Sequence, residues 1–326
     1  LGGARLVSDR TADGTNYRQT LEPMDTELWR LVGLRERASS QWIRLTIHPG
    51  AAPRPRWQFG GAYDPASDRW YIHGGALGHS APCANDSWVL DRASGLSGQP
   101  AWRRIITRGD LPPARAGFEM AFDKRRGKLI VFGGNDCINT YFHDTWVLSF
   151  DDSTNSSGEW ARVLPDSTNG QPVTRNAFAA AYDTGTARLL VYGGHTPQAA
   201  VSELWILENA NGASGAPRWH ALGCAGDAPP LTAAAHAYDA QRDSWFFFGG
   251  TDGTGIPGRQ LWRLDGVIRN PRSCQWTRLA LSEPWPNARS SGSATIIAGG
   301  AFLTFGGSVD RFSVSDTWVF RPLPRP

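Results

Sequence analysis

Tryptophan recurs at Trp29, Trp88, Trp146, Trp205, Trp262 and Trp318, at intervals of 56 to 59 residues. A large indole returned at so constant a spacing means that one structural unit is repeated, and that each copy needs its neighbours to bury it. Paired glycines keep step at Gly74-Gly75, Gly133-Gly134, Gly193-Gly194, Gly249-Gly250 and Gly306-Gly307, each 11 to 14 residues ahead of its tryptophan. A second series, Trp42, Trp102, Trp160, Trp219 and Trp276, follows the first by 13 or 14 residues.

Superposed, the central repeats show four short strand-like stretches divided by turn residues, and none with a sustained helical period. The first is small and ends in aspartate, as in Phe178-Ala179-Ala180-Ala181-Tyr182-Asp183. Small side chains suit strands that converge on an axis, and the aspartate opens a hairpin turn. The second is apolar throughout, as in Leu189-Leu190-Val191-Tyr192, and runs into the glycine pair. It is expected to be covered on both faces. The third and fourth carry the two tryptophan series, as in Asp144-Thr145-Trp146-Val147-Leu148 and Trp160-Ala161-Arg162-Val163.

Glycine pair, first tryptophan and second tryptophan together resemble the Kelch repeat, from about residue 25 to 322. The resemblance implies an all-β fold, a β-propeller with one four-stranded blade per repeat around a central channel. Counting the first tryptophan series predicts six blades, in repeats of about 25–50, 51–109, 110–170, 171–227, 228–284 and 285–322. These leave no break for a boundary, so residues 1–326 are expected as a single domain, with the N- and C-terminal strands closing the ring or the terminal blade incomplete.

A net charge of +3 is too mild to point to nucleic acid, and no window approaches the roughly 18 apolar residues of a membrane-spanning helix. The four cysteines form no CxxC spacing, so disulfides are the expected use rather than zinc. Cys83 and Cys137 both follow the glycine pairs of successive repeats, which predicts a bridge between neighbouring loops. Cys224 and Cys274 stand at differing offsets, a poorer basis for a second bridge. Bridged cysteines place a chain in an oxidising, extracytoplasmic compartment, periplasmic or secreted.

Candidate binding residues fall into two groups. Arg56, Arg115, Arg175 and Arg289 recur at one register ahead of the first strand, with Leu231 in that register in the remaining repeat. Such arginines could ring the channel mouth and hold a carboxylate, sulfate or acidic sugar, or each could tie its own blade through backbone carbonyls and the repeat's aspartates. The loops after the glycine pairs differ most between repeats and offer His143, His195, Asp136 and Asp252, with His79, Tyr141, Arg259, Asp310 and Arg311 nearby.

No HExxH spacing, GxSxG elbow or phosphate loop occurs, so neither metal, cofactor nor catalytic residue is assigned. The expectation is a recognition or scaffold propeller that docks a protein partner, as a subunit of a larger assembly, through its loop face. The alternative is action on, or binding of, an acidic sugar at the channel mouth. There Glu119 or His236 would move the proton, or Trp57, Trp70 and Trp285 would stack on the glycan.

Overall fold

The computed structural model describes residues 4–10, 17–23, 27–33, 40–78, 81–165, 170–281, 283–309 and 312–321. Its regular elements are strands, apart from one short 3-10 turn at Pro271–Ser273. The chain divides into two compact units, Leu1–Thr140 with Asp144–Pro165, and Tyr141–His143 with Asp166–Pro326.

In the first unit, β1 (Ala4–Arg10) and β2 (Tyr17–Pro23) form a hairpin, and β3 (Leu28–Val32) pairs with β4 (Gln41–Leu45). A four-stranded sheet follows, of β5 (Gly60–Asp64), β6 (Arg69–His73), β7 (Ser87–Asp91) and β8 (Ala101–Arg104), antiparallel in chain order. After the short β9 (Ile106–Gly109), the pattern repeats in β10 (Glu119–Asp123), β11 (Lys128–Phe132), β12 (Thr145–Phe150) and β13 (Ser157–Leu164). There β9 adds a fifth, parallel strand at the outer edge, beside β13. Four residues without alternation gave β9 no signature in the sequence.

The second unit holds two more four-stranded sheets. One is β14 (Ala179–Asp183), β15 (Arg188–Tyr192), β16 (Leu204–Glu208) and β17 (Arg218–Leu222). The next is β18 (Ala235–Asp239), β19 (Ser244–Phe248), β20 (Leu261–Asp265) and β21 (Gln275–Leu279). The last sheet has three strands, β22 (Ser293–Ile297), β23 (Ala301–Phe305) and β26 (Thr317–Phe320). Between the latter two lies the small hairpin of β24 (Ser308–Val309) and β25 (Phe312–Ser313).

The expected count of six blades is corrected to five, four of them complete and the last three-stranded. Trp29 and Trp42 do stand on paired strands, but β3–β4 remains a two-stranded sheet rather than sharing one with the C-terminal strands. Trp29 is 47% exposed and Trp42 39%, whereas Trp88 and Trp146 of the first series and Trp102, Trp160, Trp219 and Trp276 of the second are buried, and Trp205, Trp262 and Trp318 half-buried.

Elsewhere the tryptophan spacing has a direct cause. Each second-series indole lies directly across from a leucine on the third strand: Leu90 with Trp102, Leu148 with Trp160, Leu207 with Trp219 and Leu264 with Trp276. Cross-strand pairs of this kind are the unit of sheet stabilisation, and they hold the two series at one interval. The cores lie between successive sheets of a unit. Tyr71, Val89, Met120, Val131 and Trp160 fill one, and Tyr192, Leu204, Ile206, Trp245 and Trp276 another.

Candidate functional site

The recurrent arginines are buried, and each closes a clasp within its own repeat. The Arg56 Nη1 donates to the Gly74 carbonyl at 2.9 Å and to Asp86 Oδ1 at 2.6 Å, while Nη2 donates to Asp86 Oδ2 at 3.1 Å. Arg115 repeats this with Gly133 and Asp144, and Arg289 with Gly306 and Asp316. Arg175 uses Gly193 and Glu203 instead. In all four, Nε donates to the carbonyl two residues earlier.

The carboxylate of each clasp also accepts the indole N–H two residues on, as Asp86 does from Trp88 at 2.7 Å and Glu203 from Trp205 at 3.0 Å. Arginine, glycine pair and first-series tryptophan are therefore parts of one hydrogen-bonded device. Burial by itself would raise Asp86, but the bonds and charge of Arg56 and the Trp88 bond hold it below the ordinary carboxylate range. Burial pulls Arg175 below its usual value, against the opposing pull of Glu203.

The glycine pair is required by the same device. Gly75 N donates to the Arg115 carbonyl of the following repeat, and Gly250 N to that of Arg289, each at 2.8 Å. A side chain on Gly74 or Gly249 would collide with those same carbonyls, and both residues sit at φ near +65° (62° and 67°). The fifth repeat loses both ends of the clasp together: Leu231 replaces the arginine and Gln260 the carboxylate. Leu231 packs into the apolar core, and the Gln260 amide oxygen accepts the Arg259 backbone N–H at 3.1 Å. The signal for all this was in the sequence, as the Asp-x-Trp or Glu-x-Trp triplet.

The loop residues mostly fix the loops that carry them. Asp136 Oδ1 accepts the backbone N–H groups of Ile138, Asn139 and Thr140, each at 2.9 Å. Asp252 Oδ1 accepts the Thr254 N–H at 3.0 Å and its hydroxyl at 2.6 Å, bonds that lower its pKa. His143 Nδ1 lies 3.0 Å from the Pro172 carbonyl, and His195 pairs through its backbone with Asn176. Disulfides join Cys83 to Cys137 and Cys224 to Cys274. His79, Asp310 and Arg311 lie outside the described residues.

Among their exposed polar residues, these loops also present apolar side chains outward. Ile138 is 75% exposed in the first unit, and in the second Ile256 is 71% and Phe312 73% exposed. By contrast, Trp70 is packed against Phe59 and Trp102, and Trp285 lies beneath the Arg259 guanidinium at 4.5 Å. Glu119 and His236 stand on the first strands of their sheets, β10 and β18, and His236 packs edge-on to Trp245. Among the described residues, no group of three or more His, Cys, Asp and Glu could hold a metal ion. No helix there is long and apolar enough to cross a membrane.

The sequence pattern of the KLHDC2/KLHL20/DRC7 Kelch-repeats domain matches residues 60–307. Acyl-CoA-binding domain-containing protein 4 of Arabidopsis thaliana is 24% identical over 216 residues, 65% of this chain and 29% of that protein. Host cell factor 1 of Homo sapiens is 27% identical over 169 residues, 48% of this chain and 8% of that one. Dynein regulatory complex subunit 7 of Chlamydomonas reinhardtii is 25% identical over 126 residues, 38% of this chain and 10% of its own length. The chain thus spans less than a third of each of these relatives.

Proposed function

This chain belongs to the Kelch-repeat family, of the β-propeller class, and from that premise we propose that it is a non-catalytic recognition or scaffold domain. Its loops after the glycine pairs dock a protein partner. The observation that carries this reading is the pairing of rigid loop backbones with outward apolar tips: Ile138 rides on the Asp136 turn and Ile256 follows the Asp252 turn. Apolar side chains held in place bind with little ordering cost, which suits a docking surface. One of the relatives, dynein regulatory complex subunit 7, carries a name that places it in a larger assembly.

The channel-mouth alternative draws little support, because Arg56, Arg115, Arg175 and Arg289 have their guanidinium groups turned to their own repeats. The two disulfides support an extracytoplasmic location, where thiols stay oxidised. The test is capture of a partner by the intact chain, compared with Ile138→Asp, Ile256→Asp and Phe312→Asp variants. A stoichiometric partner lost from these variants supports the reading. A partner retained by all three places docking elsewhere.

A further inference from the structure

The last sheet stops one strand short. In the four complete sheets a fourth strand covers the third, and Leu90, Leu148, Leu207 and Leu264 on the third strand are each 0% exposed. Their counterpart in the last sheet is Phe320 on β26. It is only half-buried, and its neighbour Val319 is 36% exposed. Among the described residues, no strand pairs with the edge of β26 away from β23, so that edge carries a row of unpaired backbone donors and acceptors.

The complete sheets show what fits there. Across from the leucine stands a tryptophan each time, Trp102, Trp160, Trp219 and Trp276. Two residues on, across from the first-series tryptophan, stands an arginine in three of the four: Arg104 opposite Trp88, Arg162 opposite Trp146 and Arg278 opposite Trp262. Arg162 Cζ lies over the Trp146 ring, 5.5 Å from its centroid. The β3–β4 pair has the same arginine, Arg44 opposite Trp29, and shows a second use for it. Arg44 Nη2 bonds Glu27 Oε1 at 2.9 Å, while Glu27 Oε2 accepts the Trp29 indole N–H at 3.0 Å. In the last sheet Asp316 holds the place of Glu27. Its Oδ2 accepts the Trp318 indole N–H at 2.6 Å, and its side chain is still 41% exposed beside the Arg289 clasp. The open edge thus offers a carboxylate next to an indole, the charge complement of a fourth-strand arginine.

The apolar side of the edge is stable without a fourth strand. The Phe320 ring lies 5.2 Å from that of Phe248 and 6.0 Å from that of Phe302. With Leu281 it packs, half-buried, against the cluster of Phe246, Phe248, Leu261 and Phe302. A phenylalanine where the other sheets have leucine covers this cluster, so the edge stays open in the folded protein.

We propose that the open edge of β26 docks a partner protein, which adds an extended segment as a fourth strand antiparallel to β26. The segment carries an aromatic residue opposite Phe320 and, two residues later, an arginine opposite Trp318 and Asp316. Main-chain bonds along Thr317–Phe320 give the affinity, and the two side chains give the specificity. The edge uses neither Ile138 nor Ile256, so it is independent of docking at those loop tips.

The test is calorimetric titration of the intact chain with the acetylated and amidated peptide Gln-Trp-Thr-Arg-Leu, the sequence of β21. Saturable binding is expected, weakened at least about tenfold when the peptide's tryptophan is replaced by alanine, and about threefold when its arginine is replaced by glutamine. Ile138→Asp and Ile256→Asp should bind the peptide as the unaltered chain does. The register is read by crosslinking: Phe320→Cys should form a disulfide with a peptide that has cysteine in place of tryptophan, and Ser315→Cys should not, because only opposed residues bring their Cβ atoms close enough. Failure of the peptide to saturate, or equal affinity of the three peptides, overturns the proposal. So does a disulfide between Trp42→Cys and Phe320→Cys in the chain without a partner, since β4 then fills the edge.

Discussion

Arg115 and Asp144, 29 residues apart in sequence, form a two-pronged ion pair, Nη1 to Oδ1 at 2.7 Å and Nη2 to Oδ2 at 3.0 Å, with both side chains closed off from water. The same geometry recurs in Arg56–Asp86 and Arg289–Asp316, but there the aspartates are partly open, 22% and 41% exposed. One device is thus sampled at three depths. Removing one partner of a buried pair strands the other charge, which costs about 3–5 kcal/mol, whereas near the surface water takes over.

Arg115→Gln or Asp144→Asn should therefore lower unfolding stability by about 3–5 kcal/mol, and Arg289→Gln by about 1–2 kcal/mol. Arg56→Gln should fall between them. Urea denaturation of the four variants checks the ranking, and equal losses at Arg115 and Arg289 would contradict it.

The fifth repeat allows the reverse experiment. Leu231→Arg alone puts an unpaired charge into an apolar core and should cost about 3 kcal/mol or more. Adding Gln260→Asp supplies the missing carboxylate, and the double variant should recover at least half of that loss. Additive effects in this double-mutant cycle would show that the two positions do not form a clasp when so equipped.

His73 sets an acid limit on the first unit. Its ring lies beside Trp160 and Phe118, Nδ1 is 2.9 Å from the Ser87 hydroxyl, and Nε2 is buried without a partner. Burial, with the charge of Arg115, depresses its pKa to about 3. Because the folded state keeps the ring neutral, the unfolded chain takes up the proton first as pH falls below about 6.5. Stability from this group is complete above pH 6.5 and declines down to pH 3, by about 5 kcal/mol at roughly 1.4 kcal/mol per pH unit. Unfolding free energies from pH 7.5 to 4 should show that slope, and His73→Phe should flatten it.

The disulfides close loops of 54 and 50 residues, Cys83 to Cys137 and Cys224 to Cys274. Loops of that length constrain the unfolded chain strongly, so Cys83→Ser with Cys137→Ser should cost about 2–4 kcal/mol, and the second pair a similar amount. Denaturation with and without reductant measures both. An unchanged midpoint in the reduced protein would remove their structural role.

The repeat made the strands legible, because glycine pairs and indoles mark the same points of the hydrogen-bond ladder each time. It also misled at the N-terminus. Trp29 and Trp42 have the right spacing, but spacing does not reveal whether a sheet covers them, and here both are exposed. The arginine register was visible at Arg56, Arg115, Arg175 and Arg289, while the role needed the carboxylate 27 to 30 residues later. The shared grip of Arg69 and Arg103 on Asp91 was not legible, since the two arginines come from different strands and the turn that they also hold lies 84 and 51 residues further on.

The clasps build the blades, and the proposed role gives binding to the loops after the glycine pairs. Crosslinking mass spectrometry of the intact chain with the protein it captures measures this most directly. Crosslinked or protected peptides are expected around Ile138, Ile256 and Phe312, with loss of capture when these become aspartate. Protection confined to the opposite hairpin turns, with capture intact in the three variants, would contradict it.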